Sequence, residues 1–122
     1  MAETIDELLR EYVEKVLFHS NADSSDPKQT KAINKAADRM IEIAELVASK
    51  NGTSDFVQLL NHQEKAVRSW AAFHVIERMN PDQETINKAL GEIKSIAKSD
   101  SMEAFGAELW LKDWNRKNST NP

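Results

Sequence analysis

The sequence of 122 residues contains no cysteine, three glycines and three prolines. Without thiols the chain has neither disulfides nor a thiolate-based zinc site. So few helix-breaking residues, among many Ala, Leu, Ile, Glu and Lys, favour helix throughout. No run approaches the roughly 18 apolar residues of a membrane span, and acidic residues interrupt the N-terminal segment. We therefore expect neither a signal peptide nor a membrane helix, and we expect a cytoplasmic protein.

Charge of one sign is not in large excess either. The chain has 16 basic and 20 acidic residues, which gives a net charge of −4. Binding to phosphates needs clustered Lys and Arg, so we expect no nucleic-acid partner and no membrane surface. The small excess of acidic residues favours a basic protein partner, although a net charge of this size is ordinary for a soluble domain.

Motifs that carry chemistry are also missing. His19, His62 and His74 do not lie three or four residues apart, as metal-binding histidines of one helix would. We expect the first two in loops and the third on a helix, partly buried. There is no Gly-x-Ser-x-Gly elbow, and the glycines are scattered, so no phosphate loop is present. We therefore predict no metal, no cofactor and no enzymatic activity.

Apolar residues that recur at intervals of three and four predict six helices in one domain, 1–122. Thr4 with Glu7, Asp26 before Pro27, and Asn80 before Pro81 are the predicted caps of the first, second and fifth helices. Residues 118–122 are expected to form a flexible tail. The predicted helices span about 5–18, 27–49, 55–60, 64–79, 81–97 and 100–116.

Short loops force successive helices to be antiparallel neighbours, so the six helices are expected to form three stacked pairs. The second helix has a broad alanine-rich face that a neighbour can approach closely. In the sixth helix, Gly106 is expected at a close crossing. The expected anchors of the sixth helix are Met102, Phe105, Leu109 and Trp110.

The central segment carries Leu-Leu at 59–60, Val-Arg at 67–68 and Ala-Ala at 71–72. This pattern resembles a HEAT repeat, an α-α superhelix unit. The resemblance implies that Val67, Ala71 and Ala72 are buried between helices and that Arg68 ties one repeat to the next. The Asp and Pro that usually precede the Val-Arg pair are replaced by Gln-Glu-Lys at 63–65.

The whole chain resembles a small bacterial family known as a domain of unknown function, numbered twenty-nineteen. The matching segments lie within residues 4–117 and read IDELLREYVEKV, LLNHQEKAVRSWAAFHVI and FGAELWLKDWNRK. The resemblance implies a HEAT-like helical fold and no known activity. Some small HEAT-like proteins of bacteria are immunity proteins against secreted toxins, which is an argument by association.

Tryptophan and arginine are the residues most enriched in binding hot spots, although large aromatics also simply fill cores. If the even-numbered helices form the inner layer, one concave face would gather the candidate partner-binding residues Arg68, Trp70, Trp110, Asp113 and Trp114. The favoured function is a non-catalytic protein-interaction module, with a toxin-immunity protein as a specific case. One alternative is an enzyme of the DNA-glycosylase type that uses Trp110, Asp113, Trp114 and Arg68. Another is a homo-oligomer that pairs through the alanine-rich face of the second helix.

Overall fold

The computed structural model describes residues 3–23 and 25–118. In these two segments the chain forms six α-helices and one 3-10 turn, with no strand, which confirms the all-helical prediction. Residues 119–122 of the predicted tail lie outside the described residues, whereas residue 118 is helical. The helices are α1 (Ile5–Asn21), α2 (Pro27–Ser49), α3 (Thr53–Val57), α4 (Lys65–Arg78), α5 (Gln83–Ala97) and α6 (Ala104–Asn118), and the 3-10 turn is Gln58–Asn61.

Local hydrogen bonds set the starts of α1 and α2 as the sequence predicts. The Thr4 hydroxyl accepts a hydrogen bond from the Glu7 amide, and the Glu7 carboxylate accepts one from the Thr4 amide, which completes a capping box. The Asp26 carboxylate accepts from the Lys28 amide at 2.9 Å. These contacts satisfy amide groups that have no partner inside the helix.

Two later helix starts differ from the prediction. Asp82, not Asn80, caps α5, and its carboxylate accepts a hydrogen bond from the Thr85 amide at 2.8 Å. Pro81 therefore precedes the helix. The sixth helix begins at Ala104 rather than at residue 100. Several polar residues before each helix can serve as caps, and the local pattern did not identify which of them the tertiary path would select.

The turn between α2 and α3 brings the backbone close to the core. Asn51 has a positive φ of 61°, the left-handed conformation expected where α2 ends. Gly52 is buried, and a Cβ atom added there would lie 2.8 Å from the Val47 side chain and 2.9 Å from that of Ile5. The turn therefore needs glycine because a larger residue would collide with α1 and α2.

Helix α4 lies at the centre of the packing, where it contacts α1, α2 and α5. Helix α3 has five residues, and α4 pairs more extensively with α5 than with α3. The contacts between successive helices are thus unequal. The core is formed by side chains from all these helices, among them Leu8, Tyr12, Val16, Met40, Ile43, Val47, Phe56, Val67, Ala71, Val75 and Ile93, all fully buried.

The apolar faces of α2 and α6 differ in burial. Ala36 and Ala44, on the alanine-rich face of α2, are 4% and 0% exposed, so this part of the face is covered within the fold. Three of the four expected anchors of α6 are exposed instead. Met102 is 97% exposed, Phe105 69% and Leu109 50%.

The contacts that hold α6 come from another face. Ala107 is the side chain that is buried within Ala104–Asn118, and Trp110 and Leu111 pack partly against the core. No atom of a described neighbour lies within 4 Å of a Cβ added at Gly106, so Gly106 is not at a close crossing between the described helices. The prediction was wrong because periodicity identifies an apolar stripe but not whether another helix covers it.

Candidate interaction site

Trp110 and Trp114 form a stacked pair on α6. Residues four apart lie on the same face of a helix, so their side chains meet. The two rings are parallel within 6°, and their centroids are 5.6 Å apart. Both side chains are partly exposed. Stacking within one helix leaves part of this large aromatic surface available to a further contact.

Helix α4 supplies the second wall of the site. The edge of the Phe73 ring meets Trp110 at a centroid distance of 5.3 Å and an angle of 81°. One turn later on α4, the Glu77 carboxylate accepts a hydrogen bond from the Trp110 indole Nε1 at 3.0 Å. These two contacts fix the orientation of the Trp110 ring relative to α4.

A shallow groove of about 210 Å³ lies between the two helices. Its surface combines the stacked indoles with two carboxylates and one ammonium group. Such a combination suits an amphipathic side chain, because an apolar stem can lie on the indole while a polar end meets the carboxylates. The lining residues are Ile76 and Glu77 of α4 and Trp110, Asp113, Trp114, Lys117 and Asn118 of α6.

Asp113 is held in its charged form at the edge of this groove. Its carboxylate accepts hydrogen bonds from Lys117, at 3.0 Å, and from Arg116. These bonds, that of Lys117 first, lower the pKa of Asp113. A general base needs a pKa near the working pH. Asp113 thus provides negative charge at the groove rather than a proton acceptor.

Arg68 lies at the other end of α4. Its guanidinium donates to the Glu92 carboxylate of α5 at 3.2 Å and to the His62 and Gln63 carbonyl oxygens at 2.8 and 3.1 Å. The contacts of Trp110 on α4 are five and nine residues further on, about 7 to 13 Å along the axis at 1.5 Å per residue. Arg68 and the two α6 tryptophans therefore do not converge, and the glycosylase-type arrangement is not supported by the geometry.

Trp70 belongs to a separate aromatic group. Its ring lies 5.0 Å from His19 at the end of α1 and 5.7 Å from His74 on its own helix. His19 is thus part of α1 and not of a loop. Of the five candidate residues, the structure brings together Trp110, Asp113 and Trp114, and it places Trp70 and Arg68 elsewhere.

His74 is the buried polar side chain of the interior, with 3% of its surface exposed. Its Nδ1 lies 2.7 Å from the Tyr12 hydroxyl. Burial, and then the nearby Arg78, lower the pKa of His74 to about 4, so the ring is neutral, and the tautomer sets which of the two groups donates in its hydrogen bond with Tyr12. Burial also raises the pKa of Tyr12 well above its usual range. This pair joins α1 to α4 and is shielded from any ligand.

Sequence reasoning missed Phe73 and Glu77 as parts of the site. Phe73 and Glu77 lie four apart on α4, so their spacing already indicates that they share one face of that helix. Their meeting with Trp110 depends on how α6 packs, and no local pattern contains that information. In the described segments no group of three or more His, Asp or Glu side chains is arranged to hold a metal ion.

The described helices include none that is long and apolar enough to cross a membrane. Comparisons of the chain with family models, with curated proteins and with solved structures each found no match. The resemblance to the bacterial family therefore stays a prediction. What the site can do must be argued from its own geometry.

Proposed function

We propose that this protein is a non-catalytic helical module that binds a protein partner through the groove between α4 and α6. The observation that carries the proposal is the stacked Trp110–Trp114 pair, partly exposed beside the Glu77 and Asp113 carboxylates. The partner would insert a Lys or Arg side chain there. Its stem would lie on the indoles, and its charge would meet Glu77.

Two physical effects favour a basic side chain in this groove. A cation over an indole face is attracted by the ring quadrupole, with a contribution of about 0.5–2 kcal/mol depending on desolvation. The Glu77 carboxylate is already oriented by the Trp110 indole, so little side-chain freedom is lost when a cation arrives. The net charge of −4 would in addition speed the encounter with a basic protein.

We further infer that the helices stack in a HEAT-like arrangement. Val67, Ala71 and Ala72 are fully buried, and Arg68 connects α4 to Glu92 of the next hairpin, as the resemblance implies. A bacterial immunity protein that blocks a basic toxin is the specific case that the family resemblance favours. In such a protein the groove would hold one basic anchor of the toxin.

A peptide selection followed by calorimetry tests the proposal. A displayed library of random peptides is selected on the protein, and the enriched peptides are measured by isothermal titration. We expect sequences with Arg or Lys next to apolar residues, with affinity that falls as salt rises. Trp114→Ala should weaken their binding about tenfold or more, as loss of a hot-spot aromatic does.

Matched controls locate the effect in the groove. Phe18→Ala removes an exposed aromatic of α1 and should leave the affinity unchanged. Glu77→Gln keeps an acceptor for Trp110 but loses the charge, so it should weaken basic peptides, whereas Glu84→Gln on α5 should not. Enrichment of acidic peptides, equal binding by Trp114→Ala, or no groove-dependent peptide at all would overturn the proposal.

A further inference from the structure

Exposed apolar side chains are concentrated at one place on this molecule. In the described part of the chain four large apolar side chains are exposed, and three of them are Met102, Phe105 and Leu109. Phe105 and Leu109 lie four apart along one stripe of α6, and Met102 lies in the turn just before that helix. Contiguous exposed apolar surface of this kind marks an interaction site more often than scattered single residues do.

This stripe is distinct from the groove of the proposed function. At about 100° per residue, Phe105 and Leu109 lie about 100–140° around α6 from Trp110. Trp110 faces α4, whereas the stripe faces away from α4 and α5. A contact on the stripe therefore leaves the groove open, and the two surfaces can be tested separately.

We propose that a second copy of this chain covers the stripe, with α6 packed against α6 of the other copy in antiparallel orientation about a two-fold axis. The charges along α6 and its preceding turn support this occupant. Residues 99–108 carry Asp100, Glu103 and Glu108 and no basic residue. Residues 109–118 carry Lys112, Arg116 and Lys117 against one acidic residue, Asp113.

Antiparallel pairing sets the acidic half of one helix opposite the basic half of the other, and parallel pairing would set like charges together. The helix dipoles also oppose each other favourably in the antiparallel arrangement. With the axis near Leu109, that side chain meets its own copy, and Phe105 lies at the level of Asp113 of the other copy, beside the apolar stem of Lys112. Glu108 then lies within about 3 Å, along the helix direction, of the level of Lys112 in the other copy.

The same distribution of apolar surface favours a closed pair over a chain of copies. A head-to-tail contact needs a second, complementary surface elsewhere on the molecule. The one further exposed large apolar side chain in the described segments is Phe18, at 44%. In the antiparallel pair both copies use the same face of α6, so no second surface is needed and association should stop at the dimer.

Gly106 fits this arrangement. Glycine inside a helix destabilises it relative to alanine, and no described residue of the same copy lies close enough to require the small side chain. At an interface between helices a small residue beside the stripe lets the two backbones approach.

Sedimentation equilibrium on the full chain, from about 10 µM to about 1 mM, tests the proposal. Because three side chains form a small interface, we expect a monomer–dimer equilibrium with a dissociation constant on the order of 100 µM. Phe105→Asp should raise this constant about tenfold or more. Circular dichroism should show that the variant keeps its helix content, because Phe105 supports no core contact.

Charge reversal tests the antiparallel orientation. Glu108→Lys alone and Lys112→Glu alone should each weaken the dimer a few-fold, and the two together should restore it. Phe18→Asp and Trp114→Ala should leave the dissociation constant unchanged, whereas Phe105→Asp should leave peptide binding in the groove unchanged. A monomer at every concentration, equal weakening by Phe18→Asp, or no rescue by the double reversal would overturn the proposed antiparallel pair.

Discussion

Helices α1 and α6 are similar in length and both carry an apolar stripe, yet they are buried very differently. The three core residues of α1, Leu8, Tyr12 and Val16, are completely inaccessible to solvent, whereas within α6 one alanine is buried. Helix α1 packs on both α2 and α4, and α6 packs mainly on α5. The number of neighbouring helices, and not the strength of the stripe, decides how much apolar surface leaves water.

The ion pairs of the two helices differ in the same way. Glu11 of α1 accepts hydrogen bonds from Arg39 of α2, which also binds Glu3 and Glu42. Those bonds lower the pKa of Glu11. Asp113 of α6 binds Arg116 and Lys117 of its own helix. The first network connects two helices, and the second leaves α6 free to contact other molecules.

The largest expected difference comes from truncating one buried phenylalanine of α3 that packs on α1 and one exposed phenylalanine of α6. Phe56→Ala removes a fully buried ring whose neighbour is Tyr12 of α1, at a centroid distance of 4.9 Å. We expect the free energy of unfolding to fall by about 3–5 kcal/mol. Phe105→Ala on α6 should change it by no more than about 0.5 kcal/mol.

Urea unfolding of dilute protein, followed by circular dichroism, measures both changes. Dilution keeps the chain monomeric, so a contact between copies does not enter the comparison. Similar losses for the two variants would mean that α6 is packed as tightly as the core, contrary to the structure.

Acidification should weaken the α1–α4 contact and not the contacts of α6. His74 has a pKa of about 4 in the folded protein, against about 6.5 in the unfolded chain. The unfolded chain therefore binds more protons between these values, and stability falls as the pH is lowered from about 6.5 to about 4. The part of the free energy of unfolding that depends on neutral His74 is about 3 kcal/mol. It is wholly present above pH 6.5 and is lost as the pH falls to about 4.

Unfolding free energies measured across this pH range check the assignment. His74→Gln removes the titrating ring, so the loss of stability on acidification should become smaller by about that amount. His62→Gln, at a partly exposed position, serves as the control and should keep the wild-type slope. If both variants behave alike, another group is responsible for the acid sensitivity.

The smallest effect is expected for the ion pairs. Arg39→Met removes the charge that links Glu3 and Glu11 to α2 and should lower stability by about 1–2 kcal/mol, since these are charge-assisted bonds to a partly buried group. Lys117→Met loses an exposed ion pair within one helix and should change the free energy of unfolding by less than about 0.5 kcal/mol. Thermal unfolding at low and high salt measures the loss of stability in each variant. Equal losses would mean that ion pairs between helices stabilise this protein no more than ion pairs within one helix.

Much of the local structure could be predicted from the sequence. The starts of α1 and α2 depend on hydrogen bonds among residues within three positions of one another, so Thr4, Glu7 and Asp26 revealed them directly. The spacing of Trp110 and Trp114 places both on one face of α6, and the structure shows that their rings stack. The burial of Val67, Ala71 and Ala72 agrees with the repeat-like pattern of the segment.

The site as a whole could not be predicted in this way. Glu77 joins it because α6 lies beside the second half of α4, and Arg68 is absent from it because the start of α4 faces Glu92. Met102, Phe105 and Leu109 looked like core residues because their spacing is that of a buried stripe. These outcomes depend on which helix lies next to which, and the contacts of Arg68 and Trp110 span 24 and 33 residues along the chain.

The sequence by itself determined that this chain is helical, where its first helices begin and which side chains share a face, because hydrogen bonding and helical periodicity act over a few residues. Tertiary packing alone decided which of those faces are covered. It left the α4–α6 groove and the Phe105–Leu109 stripe exposed because no further helix of residues 3–23 and 25–118 lies beside α6, and apolar surface leaves water only where another element covers it.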